Sequence, residues 1–179
     1  MNQETNQKSE RSWKDVFFPL LECVLIVVIG LVIVRFIGQR TIVSGQSMEN
    51  TLQNNDNLII EKITPRVHHP ERFDIIVVPK GKDKHYDIIK RVIGLPGETV
   101  LIKDGVIYIN GNRLKESYGK DTIADPGLAE EPIELKQDEY FVLGDNRNNS
   151  TDSRVIGPVK GKDIIGRVVC RVYPNPRKF

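Results

Sequence analysis

The sequence predicts a mostly β fold, in which a single N-terminal apolar helix precedes a compact domain of antiparallel sheets. Apolar residues concentrate in one run, VFFPLLECVLIVVIGLVIV from Val16 to Val34. After it, β-branched and aromatic runs of strand length recur, punctuated by Gly, Pro, Asn and Asp. No helical period of ordinary length breaks that succession. A chain of 179 residues is enough for one domain with an appendage, and its core needs neither disulfides nor a metal.

Residues 1–15 are polar and of mixed charge, a short tail leading to Trp13, a side chain suited to a membrane interface. Residues 16–38 are predicted to form a transmembrane anchor helix. At about 1.5 Å per residue the apolar run spans the roughly 30 Å hydrocarbon core of a bilayer. An acidic group at the centre of such a helix costs about 2.5 to 3.5 kcal/mol, but Glu22 lies toward one end. Pro19 falls in the early turns, where proline is better tolerated. The alternative is a cleaved secretory signal. The following flank, Arg35-Phe36-Ile37-Gly38-Gln39-Arg40, has no small-x-small cleavage pattern, so the segment is expected to stay attached. Lys8, Arg11 and Lys14 precede the run while Arg35 and Arg40 follow it, and this slim margin leaves orientation open under the positive-inside rule.

Residues 39–179 form the predicted β domain. Strands are expected over Arg40–Val43, Asn57–Ile60, Phe73–Val78, Tyr86–Ile93, Thr99–Ile102, Val106–Ile109, Tyr140–Leu143 and Ile164–Val172. Asp104-Gly105 and Asn110-Gly111 are hairpin signals on either side of Val106–Ile109. Residues 115–134 are polar and hold Gly119, Pro126, Gly127 and Pro132, which predicts a long surface excursion. Cys23 lies in the anchor and Cys170 near the end of the domain, so they are not expected to meet. A net charge of +2 is too small to imply nucleic acid, although a mildly basic surface suits anionic lipid.

Three blocks carry the chemistry. The first is Ser44-Gly45-Gln46-Ser47-Met48-Glu49-Asn50-Thr51-Leu52. A serine hydroxyl becomes a useful nucleophile on a turn, with a base beside it and backbone N–H groups close by. A lone Ser after a Gly is ordinarily a loop residue. The second is Lys90-Arg91-Val92-Ile93-Gly94-Leu95-Pro96-Gly97-Glu98. Strand alternation puts Lys90 on one face with Ile88 and Val92, and Arg91 on the other with Ile89 and Ile93, without deciding which cation is buried. Most Lys-Arg pairs are simply solvated. The third is Gly144-Asp145-Asn146-Arg147-Asn148-Asn149-Ser150-Thr151-Asp152-Ser153-Arg154, readable as a polar loop. Its spacing fails the calcium-loop pattern, with Arg147 at the third position and Ser150 at the sixth. His68, His69 and His85 show no zinc spacing, so no metal or other cofactor is expected. A Ser/His/Asp triad is not excluded by spacing, but nothing around the histidines suggests one.

In order, spacing and position after one apolar segment, the three blocks resemble those of type I signal peptidases. The resemblance implies a membrane-bound serine endopeptidase of the Ser/Lys type, with the β fold shared by signal peptidases and self-cleaving repressors. Ser47 would attack the scissile carbonyl and its own N–H would hold the oxyanion, with Gly45 and Met48 beside the substrate. Lys90 would be the general base, since arginine cannot give up its proton near neutral pH. Lowering a lysine from about 10.4 to about 7 or 8 costs roughly 3 to 5 kcal/mol, which apolar neighbours must impose. Ser150 would bond the Lys90 amine, Asp152 would pair with Arg154, and Asp145 and Arg147 would form structural ion pairs. Arg91 and His85 would be far less important.

The same resemblance implies a cytoplasmic tail over 1–15 and an extracytoplasmic catalytic domain over 39–179. Its partners would be exported preproteins with small side chains one and three residues before the cut, membrane lipid, and a secretion translocon through functional coupling. The extended substrate would pair near Ile42–Gln46 and Asp87–Lys90. Three departures stand out: Asn50 replaces a family proline, Gly45 stands where some members have a serine that completes the oxyanion hole, and Asn148 replaces a common Asp. Two other readings are a self-cleaving repressor, which would carry a DNA-binding domain instead of an anchor, and a non-catalytic anchored β domain that binds export partners.

Overall fold

The computed structural model describes residues 13–32, 38–63, 68–79, 87–119 and 121–179. The predicted tail through residue 12, the anchor over 33–37, His85 and Tyr86 lie outside them. The chain divides into two units, Met1–Phe36 and Ile37–Phe179.

In the first, helix α1 covers Trp13–Val32, starting before the predicted Val16 and including Pro19. Val16, Phe17, Phe18, Leu20, Leu21 and the apolar residues that follow are exposed. Among the described residues no helix is long and apolar enough to cross a membrane. Lys14 occupies the first turn, and the described apolar part, Val16 to Val32, provides about 25 Å of helix at about 1.5 Å per residue. The apolar run in the sequence continues to Val34.

The second unit is built on two antiparallel sheets. The strands are β1 (Gly38–Ile42), β2 (Asn57–Glu61), β3 (Ile75–Pro79), β4 (Asp87–Gly94), β5 (Thr99–Lys103), β6 (Val106–Ile109), β7 (Asn112–Arg113), β8 (Ile133–Glu134), β9 (Glu139–Leu143), β10 (Val159–Lys160), β11 (Gly166–Tyr173) and β12 (Arg177–Lys178). One sheet has the order β1-β2-β11-β3-β4-β9-β10, with β12 on β11; the other has the order β7-β6-β5-β8. Both hairpin signals form tight turns, with positive φ at Asp104 and Gly105 and again at Asn110 and Gly111. Positive φ at both central residues is what a type I′ turn requires.

Strand β3 is the pivot of the larger sheet. Its run of β-branched residues is buried on both faces, with Ile75 and Val77 in one cluster and Ile76 and Val78 in another. The smaller sheet packs Val100, Ile102, Ile107 and Ile109 against Ile93, Phe141 and Leu143. Gly94 permits this approach, because a Cβ there would lie 2.6 Å from Val100 Cγ2 and 2.7 Å from Leu135 Cδ1. Past it, Glu98 closes the turn, accepting from the Leu95 N–H at 2.8 Å and from Arg72.

Residues 115–134 are more than a surface excursion. Ile123 and Ala129 are buried in the core shared with the smaller sheet, a short 3-10 turn covers Gly127–Glu130, and β8 completes that sheet. Their polar composition hides this, since only isolated apolar side chains point inward and no period of 2 or 3.6 marks them.

Candidate active site

Ser47 opens a tight turn whose geometry is set by its neighbours. The Met48 carbonyl accepts from Thr51 N–H at 3.0 Å and Leu52 N–H at 2.8 Å. Leu52 is fully buried beside Met48, Leu58 and Ile75. Burying such a side chain contributes about 1.5 to 3 kcal/mol, which fastens the turn to the core. Asn50 adopts φ +88°, a conformation closed to proline, whose ring fixes φ near −65°. The Asn50 departure therefore goes with a turn of different local backbone. Gly45 sits at φ +105°, exposed, its N–H donating to Asn54 Oδ1 at 3.0 Å.

Lys90 lies in β4 opposite Ile76, and Arg91 opposite Ile75. Both are buried, at 2% and 4% exposure. Lys90 Nζ donates to Ser47 Oγ at 2.7 Å and to the Ile89 carbonyl at 2.9 Å. Arg91 is held instead by Asp145, through Nε to Oδ1 at 2.8 Å and Nη2 to Oδ2 at 2.6 Å. It also donates to the Phe73 carbonyl and to Thr51 Oγ1, and its guanidinium lies 3.7 Å from the centre of the Tyr118 ring. Thr51 Oγ1 in turn donates to Asp145, so this ion pair reaches the turn that carries Ser47.

The third block closes over the same turn. Asn146 N–H donates to the Ser47 carbonyl at 3.0 Å, and Asn146 Nδ2 to the Gln46 carbonyl at 3.1 Å. Asp152, fully buried, accepts from Arg154 Nε at 2.9 Å, from Arg154 Nη2 at 2.9 Å and from Gly144 N–H at 3.0 Å. Arg147 donates to both oxygens of Glu116 and to the Gly144 carbonyl. Asn148 bridges to the 115–134 segment, donating to the Thr122 carbonyl and accepting from Ala124 N–H. An Asp at 148 could not make the first of these bonds. Ser150 departs from expectation: its Oγ is buried and has no hydrogen-bond partner, so the expected bond to Lys90 is not made. It sits beside Gly144 instead, where a Cβ would meet both the Ser150 side chain and the Ser47 carbonyl.

A cleft of about 140 Å³ runs from Ser47 and Met48 along Val43 and Ile89 to Gln39, Asp87 and Ile165. Ile60 and Val77 add apolar side chains to its lining. On the larger sheet β1 is an edge strand, and β4 pairs with β9 only from Arg91 onward, which leaves residues 87–90 without that neighbour. Among the described residues the Ser47 N–H has no acceptor. Behind the site, burial and then the nearby Asp138 charge raise the Tyr140 phenol above its ordinary 10.0, so it stays neutral. Among the described residues no group of three or more His, Cys, Asp or Glu side chains is placed to hold a metal, and Cys23 and Cys170 are free.

Ser47 and Lys90 converge, while Ser150 does not bond Lys90, and several contacts around them have no counterpart in the sequence reading. Arg91, Thr51, Asn146, Glu116 and Tyr118 take part without having been singled out as site residues. Only Arg91 carried a signal, because a charged residue inside a core strand must be paired.

A serine hydroxyl within hydrogen-bond reach of a buried lysine, beside an apolar cleft on an antiparallel β scaffold, has the parts of a serine hydrolase. Residues 18–173 match the family model described as signal peptidase, peptidase S26. The chain is 40% identical to the probable signal peptidase I-2 of Synechocystis sp., over 97% of this chain and 81% of that one. It is 36% identical to signal peptidase I P of Bacillus subtilis subsp. natto, over 94% and 95%. A crystal structure of a signal peptidase I from Enterococcus faecalis aligns over 55% of this chain and 95% of that one, at 37% identity and a TM-score of 0.44. The chain belongs to the signal peptidase family, peptidase S26.

Proposed function

We propose that this protein is a membrane-anchored serine endopeptidase that removes signal peptides from exported preproteins, cutting after small-x-small sites with Ser47 as nucleophile and Lys90 as general base. The observation that carries this reading is the 2.7 Å contact between Lys90 Nζ and Ser47 Oγ, in a chain of this family. A lysine can act as a base only where desolvation makes its neutral form accessible, and Lys90 is 2% exposed. With the amine neutral, Nζ takes the Ser47 proton as Oγ bonds to the scissile carbonyl carbon. The developing oxyanion is met by the Ser47 N–H. The ammonium then protonates the leaving amine, the C–N bond breaks, and an ester remains on Ser47. Water, deprotonated by the same amine, hydrolyses the ester and restores the hydroxyl.

The supporting groups act by position. Asp145 and Arg91 hold Thr51, Asn146 holds the Ser47 carbonyl, and Asp152 with Arg154 braces the loop beside Gly144. The cleft takes an extended peptide against the free edge of β1 and residues 87–90. Its small volume beside Met48 suits small side chains one and three residues before the cut.

Segment 16–38 serves as the anchor. The exposed, all-round apolar surface of α1 suits lipid, and the sequence extends the run past the described helix. Anchoring keeps the domain on the extracytoplasmic side, where exported chains and lipid meet it. The test is cleavage of a preprotein with a small-x-small site, in detergent, by the wild type beside Ser47→Ala and Lys90→Ala. Cutting at that site by the wild type alone is expected. Wild-type-like cutting by Lys90→Ala would overturn the dyad, and no cutting by folded wild type would overturn the peptidase.

A further inference from the structure

The cleft does not end at Asp87. Asp87 and Ile165, which line its far end, also line a second hollow of about 400 Å³ together with Lys62, Pro79, Lys162 and Asp163. Among the described residues the lining changes character there, to two lysines and two carboxylates around a proline and two isoleucines.

Register places this hollow relative to the Ser47–Lys90 pair. Within β4, Asp87 precedes Lys90 by about 10 Å of strand at about 3.3 Å per residue, and Nζ of Lys90 touches Ser47. Pro79 pairs with Asp87, while Gly38, the first described residue after the apolar segment, pairs with Glu61, next to Lys62. The hollow thus adjoins the point where the chain enters the domain from the anchor. On the peptidase reading, the upstream side of the substrate is assigned to this end, where the chain of the β domain begins. An extended peptide that sends its first and third side chains before the cut into the cleft floor sends its fifth to the same face.

We propose that Lys62 and Lys162 form a further subsite, which takes a hydrogen-bond-accepting side chain, a carboxylate or an amide, on the fifth residue before the cut. The proposal rests on the peptidase reading above. Lys162 is exposed and Lys62 half-buried, so the interaction has the strength of a partly solvated ion pair, about three- to fivefold in kcat/KM, and weakens with salt.

The test uses the full-length protein in detergent and a peptide series with one small-x-small site and Glu, Gln, Ala or Lys at the fifth position before it. Each enzyme's rates are taken relative to its own Ala peptide. Wild type should cut Glu and Gln peptides faster than Ala, and Ala faster than Lys, with the spread between the Glu and Lys peptides collapsing at about 0.5 M salt. In Lys62→Glu/Lys162→Glu the Glu and Lys peptides should exchange places, while Gln, whose amide also donates, should not fall below Ala. The same order in the variant, no order in the wild type, or a preference confined to the fourth or sixth position would overturn the subsite. So would an effect of the lysine substitutions seen only on phosphatidylglycerol vesicles and absent in detergent, which would make the hollow a lipid headgroup site. If the wild type fails to cut even the Ala peptide in a Ser47-dependent way, the peptidase reading fails, not merely the subsite.

Discussion

Replacing Arg91 by Ala tests whether the lysine's neighbour is dispensable, as the sequence predicts, or structural, as its contacts require. In the folded protein Asp145 is fully buried and receives two hydrogen bonds from the Arg91 guanidinium. Arg91→Ala leaves that carboxylate with the Thr51 hydroxyl alone from this network. Removing one partner of a buried ion pair costs about 3 to 5 kcal/mol, because the other charge remains out of water. Against a total stability of about 5 to 15 kcal/mol this is a large fraction. At about 2 to 4 °C per kcal/mol for a chain of this size, Tm should fall by about 6 to 20 °C. Thr51 follows the nucleophile in the same turn, so kcat/KM should fall as well, by about 10²-fold for an ångström of displacement. Thermal unfolding in detergent and peptide cleavage at a temperature well below both midpoints read the two effects separately. The companion variant Arg91→Met/Asp145→Leu removes both charges and should recover most of the lost Tm, since apolar replacement of a buried pair is often neutral. An Arg91→Ala protein that melts within about 1 °C of wild type and cleaves at the wild-type rate would refute the reasoning.

Gly144→Ala puts a methyl 2.5 Å from the Ser47 carbonyl and against Ser150, so cleavage should fall by about 10²-fold in a protein that still folds; an unchanged kcat/KM would contradict the packing. Ser150→Ala removes a buried hydroxyl that has no partner, so Tm should hold or rise slightly, and a drop of several degrees would mean that the hydroxyl is bonded after all. Ser47→Ala/Lys90→Met should be no slower than either single variant if the proposed nucleophile and base act as one unit, and multiplicative losses in single-turnover assays would separate them. Removing residues 2–36 should release the protein from membranes on alkaline extraction while Ser47-dependent hydrolysis of a short peptide persists; continued membrane retention would refute the anchor.

Much of the fold was legible because the longer strands carried their own local evidence, whereas the two-residue strands β7, β8, β10 and β12 carried none. The strand expected over Phe73–Val78 from its β-branched run forms over Ile75–Pro79, and the two hairpins read from Asp104-Gly105 and Asn110-Gly111, where the turn demands positive φ. Boundaries shifted by a residue or two, as with Gly38–Ile42 against the expected Arg40–Val43. The 115–134 segment escaped because Ile123 and Ala129 are single inward residues in a polar stretch, buried by contacts with strands distant in sequence.

The sequence by itself determined which residue types could do the chemistry: a serine on a turn, a lysine in a strand, and a polar block rich in paired charges, in an order that marks the family. What its periodicity could not determine was which cation of the Lys90-Arg91 pair faces Ser47, because adjacent strand residues point to opposite faces and the period treats both faces alike. Tertiary structure decided that. Asp145 arrives from the end of β9 to take the arginine, while the Ser47 turn arrives from the other side to meet the lysine. Burying two cations side by side is possible only because each meets polar partners contributed by segments far away in the chain, and such pairing is set by the packing of sheets, not by local sequence.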